Sequence, residues 1–162
     1  MSDIKSTLAA RSSGGFAAGF VPAGFRSMTF TAELYLLTLT ALATALMWIP
    51  YTIAGISRLG LARALANPLP RPVESLDWAQ RAKRAHANAV ENLVVFAPLV
   101  LVAALIGASS PATVLASKIY LAARLVHYGV YVAGIPVVRT LAFVAGAGAT
   151  LVFAASILAH AG

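Results

Sequence analysis

The chain has 162 residues, 60% of them hydrophobic and only 10% charged, with no cysteine and a formal net charge of +7. A soluble domain usually carries about 25% charged residues, so polar side chains cannot cover this surface and lipid must. The missing cysteines exclude disulfides, thiolate catalysis by the chain itself and cysteine-ligated metal or iron–sulfur centres. The basic residues flank apolar stretches, where the positive-inside bias accounts for them without any nucleic acid.

Residues 1–27 contain glycine, serine and short apolar pieces but no span. They lack the long apolar core of a secretory signal and read as a flexible N-terminal extension. Residues 28–162 read as one all-α, four-transmembrane-helix domain, because four segments approach the roughly 20 apolar residues that a bilayer requires. The first runs from about Ala32 to Ile56. Glu33 and Tyr35 mark its entry, Trp48 and Tyr51 approach the far interface, and Pro50 should kink it by removing a backbone donor. Pro68, Pro70 and Pro72 then predict an ordered, non-helical loop.

The second helix should start after Ser75, a candidate N-cap with Asp77 in the first turn. Its first half is polar (Gln80, Arg81, Lys83, Arg84, His86, Asn88, Glu91, Asn92), and Leu93 to Ile106 is apolar without a break. Ser109-Ser110-Pro111 opens a third helix that reaches about Gly134, with proline at a first-turn position. Pro136 opens the fourth, which runs to about Ala159. Arg58, Arg63, Arg71, Arg81, Lys83 and Arg84 lie in or next to the first loop, against Lys5, Arg11, Arg26 and Lys118 on the other side. That imbalance puts the first loop in the cytoplasm and both termini outside it. Gly146 and Gly148 give the last helix a close-packing face.

Ionisable groups inside a bilayer cost about 3 kcal/mol each at the centre by some scales, so each should face a partner, a cavity or another subunit. Arg84, Asn88 and Glu91 fall at i, i+4 and i+7, one face of the second helix. Tyr120, Arg124, His127 and Tyr131 form a similar stripe on the third, and Arg139 begins the fourth. Such a set suits a small, anionic, peptide-like ligand, because guanidinium forks bind carboxylates and can stabilise a thiolate. A second reading is purely structural, with Glu91 paired to Arg124 or Arg84 to neutralise a buried charge. His86 reads as an exposed polar residue and His160 as a solvated terminal one. The histidine spacing offers no HxxxH or HExxH metal motif.

The stretch Arg84-Ala-His-Ala-Asn88-Ala-Val-Glu91-Asn-Leu, with Ala-Arg124-Leu-Val-His127-Tyr-Gly-Val-Tyr131 and Ile-Pro-Val-Val-Arg139-Thr140, resembles the MAPEG family. These are the membrane-associated proteins in eicosanoid and glutathione metabolism. The resemblance extends from about Thr31 to the C-terminus. It implies a homotrimer of four-helix subunits in which glutathione, as co-substrate, binds between neighbours near the cytoplasmic side. By matching positions it implies that Arg84, Asn88, Glu91, Arg124, His127 and Tyr131 hold glutathione. Arg139 would be the catalytic arginine that stabilises the thiolate. The chain departs from some members at Ala87, Thr140 and Phe143, where they carry further donors. The expected activity is that of a transferase or peroxidase acting on lipophilic electrophiles from the bilayer, in a bacterial inner membrane. The competing expectation is a non-catalytic structural or accessory protein of the same fold.

Overall fold

The computed structural model describes residues 30–66 and 76–161. The expected N-terminal extension, the proline-rich loop and the Ser75 cap lie outside the described residues. Six helices make up the described chain: α1 (Ala32–Leu46), α2 (Ile49–Leu59), α3 (Leu61–Ala64), α4 (Asp77–Ile106), α5 (Pro111–Ala133) and α6 (Pro136–Ala161). Leu76, with no side-chain cap bond, occupies the position before α4.

The irregularity expected at Pro50 is an interruption of the helical hydrogen-bond ladder, with Met47 and Trp48 both keeping right-handed helical backbone angles. Regular α-helical bonding lapses into a turn at Met47–Trp48, and α2 restarts with Pro50 in its first turn, where a missing N–H costs nothing. The Tyr128 hydroxyl donates to the Met47 carbonyl at 2.9 Å, so α5 satisfies an acceptor at the interruption. Pro98, by contrast, sits inside α4 without ending it.

Two tight turns join the long helices. Gly107 and Gly134 both take φ near +75° (75° and 79°), the left-handed conformation that favours glycine. At each, the next amide reaches back to close a Schellman turn: Ala108 N–H to the Ala103 carbonyl at 2.8 Å, and Ile135 N–H to Val130 at 2.9 Å. Ser110 then caps α5, with Thr113 returning the bond in a capping box. The end of α5 before the second turn gains a further partner, since Arg81 Nε on α4 donates to the Val132 carbonyl at 2.9 Å.

The core lies where α4, α5 and α6 meet beside α1, around Leu37, Phe96, Val100, Tyr120 and Phe153. Phe96 stacks on Tyr120 at 3.6 Å between ring centroids, and Phe153 meets Phe96 edge-on at 5.4 Å. The outer surface is also apolar. Leu42, Leu46, Val94, Leu115, Leu141 and Leu151 are all exposed, as side chains facing hydrocarbon would be.

Three helical stretches are long and apolar enough to cross a membrane: Ala32–Leu59, Asp77–Ile106 and Pro136–His160. The fourth expected crossing, α5, is a continuous helix of 23 residues. It carries Lys118, Arg124 and His127, and the last two of these are turned into the bundle.

Candidate functional site

α5 packs against α1, α4 and α6, so a polar stripe along it has to be accommodated inside the protein. Tyr120, Arg124 and His127 are buried and Tyr131 is half-buried. Facing them, α6 presents Arg139, Phe143 and Gly146, which share one face at i, i+4 and i+7. The result is a row of cations and rings. The Arg139 guanidinium lies 4.7 Å from the centre of the Tyr131 ring. His127 meets Tyr131 edge-on at 5.5 Å and approaches Phe143 at 6.3 Å. Arg124 ends the row, 5.6 Å from the Phe143 ring and 5.2 Å from Tyr120.

Arg124 is the most demanding of these groups, with 2% of its surface exposed. Its Nη2 donates to the Phe143 carbonyl at 3.3 Å, while Nε and Nη1 are buried with no hydrogen-bond partner. Gly146 makes the placement possible, because a Cβ there would lie only 2.8 Å from Arg124 Cζ and closer still to Nη2. The pairing of Arg124 with Glu91 that spacing allowed does not form. Among the described residues the row contains two guanidinium groups and no carboxylate, so it is receptive to an anion.

The α4 stripe is placed differently. Arg84 and Glu91 are exposed and Asn88 is half-buried, with Asn88 Oδ1 buried and lacking a partner. Among the described residues no hydrogen bond joins these three side chains to the α5–α6 row. The two sets nevertheless share a depth. Phe96 and Tyr120 are level because they stack, and the helices run in opposite directions. Counting away from that level at about 1.5 Å per residue, Glu91 falls within one residue of the level of Arg124, Asn88 of His127 and Arg84 of Tyr131.

Sequence reasoning underrated two groups. His86 is not simply exposed: its Nδ1 lies 2.9 Å from the Tyr51 hydroxyl, which ties α4 to α2. Glu33 does more than mark the start of a span. Its carboxylate, 4% exposed, accepts from Ser109 Oγ at 2.6 Å and Thr113 Oγ1 at 2.7 Å, so α1 is bonded to the turn that opens α5. A signal for this existed, since Glu33 is in helical phase with Leu37, Thr40 and Thr44, the other buried residues of α1. The departures have local consequences too. The Thr140 hydroxyl donates to the Pro136 carbonyl of its own helix at 3.1 Å, and Phe143 supplies a ring that both His127 and Arg124 approach.

No curated protein matches the chain. The family description that does match, "MAPEG family", covers residues 35–159, a stretch that takes in both polar stripes, Arg139 and every long helix. With an apolar exterior and three helices able to cross a bilayer, the chain is an integral membrane protein and belongs to the MAPEG family.

Proposed function

We propose that this protein is a glutathione-dependent transferase, or a peroxidase of the same kind, acting on lipophilic electrophiles that reach it from the bilayer. The observation that carries this reading is the uncompensated positive row: Arg139 over Tyr131, with His127 beside it and no carboxylate among the described residues to neutralise it. A thiol becomes nucleophilic as thiolate, and a nearby cation favours that form. Arg139 would hold the sulfur, and His127 and Tyr131 would orient it. The thiolate would then bond to an electrophilic carbon and expel a leaving group with its electron pair. With a peroxide it would bond to oxygen and release an alkoxide that takes up a proton.

In this reading the protein is a homotrimer of four-span subunits. Arg84, Asn88 and Glu91 lie on an outer face at the depth of the row. A charge at membrane depth calls for a polar neighbour, and a second subunit with bound glutathione would supply one. The α4 stripe would hold the carboxylates and amides of glutathione while the neighbour's α5–α6 row receives the sulfur. The first loop would face the cytoplasm of a bacterial inner membrane, with both termini on the other side.

The test is a titration of purified protein with glutathione, following thiolate absorbance in the ultraviolet. Saturable thiolate formation that disappears in Arg139→Ala is the expected result. No binding at millimolar glutathione would sink the reading, and would leave a non-catalytic member of the family as the better account.

A further inference from the structure

Arg124 raises a question that a glutathione contact does not answer. The guanidinium is closed off by Tyr120, Phe143 and the Gly146 backbone, and both nitrogens without partners are buried. Those atoms are not open to a ligand at the protomer's surface. Arginine stays protonated even in apolar surroundings, so the protomer holds a full positive charge to which no carboxylate among the described residues is bonded. The faces of Tyr120 and Phe143 attract it only weakly, by cation–π contact.

The surroundings of that charge are specific. Tyr120 and His127 face it from its own helix. From α6 the nearest groups are the Phe143 ring and carbonyl, with Arg139 farther along the same face. The carboxylates among the described residues are Glu33, Asp77 and Glu91, and none bonds to it. Glu33 is bound at the other end of α5, by Ser109 and Thr113. His127 stands on α5 three residues after Arg124 and meets Tyr131, over whose ring Arg139 lies.

Resting on the functional reading above, we propose that Arg124 is a second cation that never touches glutathione and acts by its field, holding the co-substrate as thiolate together with Arg139. Charges in a dry interior act over longer distances than in water, because little solvent screens them. For unit charges on the order of 10 Å apart at an effective dielectric near 20, the interaction changes a thiolate–thiol ratio by roughly tenfold. In this scheme Arg124 is a positioning residue for charge, and Gly146 is the notch that admits it. Thiol activation then belongs to an α5–α6 pair of arginines rather than to Arg139 alone.

The experiment separates field from contact and from fold. Full-length wild type, Arg124→Met, Arg124→Gln and Arg124→Lys are titrated with S-methylglutathione, which has no ionisable sulfur. Glutathione thiolate absorbance is then followed against pH. Gln keeps a donor for the Phe143 carbonyl and serves where Met does not fold. The expected result is S-methylglutathione affinity within about twofold of wild type for all variants. The thiolate titration should move up by about one pH unit in Met and Gln, a tenfold lower thiolate fraction at fixed pH, and return toward wild type in Lys. A thiolate profile unchanged in Met and Gln would overturn the inference. So would S-methylglutathione affinity that falls in step with thiolate formation, which would make Arg124 a contact residue, or failure of Lys to restore the profile. Wild type that binds no S-methylglutathione would instead overturn the functional reading itself.

Discussion

A guanidinium that is 2% exposed can be held only where the neighbouring backbone leaves room for it. On α6 that room depends on Gly146, whose missing Cβ is replaced by the Arg124 guanidinium. Gly146→Ala forces either the arginine or the helix to shift, and overpacking of this kind typically costs 1–3 kcal/mol. The expected outcome is a clearly lowered melting temperature in detergent. Gly148→Ala should be close to neutral, since a Cβ there meets nothing within 4 Å. Glu33 offers a second test. Glu33→Ala removes the acceptor that Ser109 and Thr113 share; Ser109 is exposed and Thr113 Oγ1 also reaches the Ser110 carbonyl at 2.8 Å, so the loss should be that of the tie between helices, about 1 kcal/mol. Glu33→Gln keeps an acceptor oxygen and should lose less. Equal melting temperatures for the two variants would show that the carboxylate oxygen is not what anchors α1.

At the scale of elements, the legible features were those written in local pattern. Pro111, Pro136 and Gly134 mark the turns, and four apolar stretches gave the order of the long helices. The stripes on α4 and α5 were legible as stripes, because a period of 3.6 fixes which residues share a face. Which way each face points was not legible. That depends on which helices pack together, and the same spacing suits an inward Arg124 and an outward Glu91. The interruption at Met47–Trp48 was readable only as a kink, because its acceptor is satisfied by Tyr128, 81 residues away in sequence. The Arg81 contact is a similar long-range device, in which α4 caps the end of α5 through the Val132 carbonyl. Arg81→Met should cost about 1 kcal/mol, the usual worth of such a bond. Amide exchange should rise around Val130–Ile135 while the Phe96–Tyr120 level stays protected. Uniform exchange across α5 would count against a local cap.

For the whole molecule the decisive question is how many times the chain crosses the bilayer, and α5 decides it. Both its ends are pinned: Thr113 to Glu33 at the start of α1, and Val132 to Arg81 near the start of α4. A 23-residue helix spans about 35 Å, enough to cross the roughly 30 Å hydrocarbon core. Its charged groups are compatible with that crossing, because Arg124 and His127 face inward. If α5 crosses, the start of α1 and the end of α6 lie on one side, and α2 and the Gly134 turn lie on the other. The chain has no cysteine, so single cysteines at exposed positions report sidedness without background. In right-side-out vesicles, an impermeant thiol reagent should label Phe30→Cys and Ala159→Cys directly. Ser57→Cys and Ile135→Cys should label only after the membrane is opened. Labelling of Phe30→Cys and Ala159→Cys from opposite sides would mean an odd number of crossings. In that case the α5–α6 row could not stand at the depth of Arg84, Asn88 and Glu91, and a pocket shared between subunits would have no geometric basis.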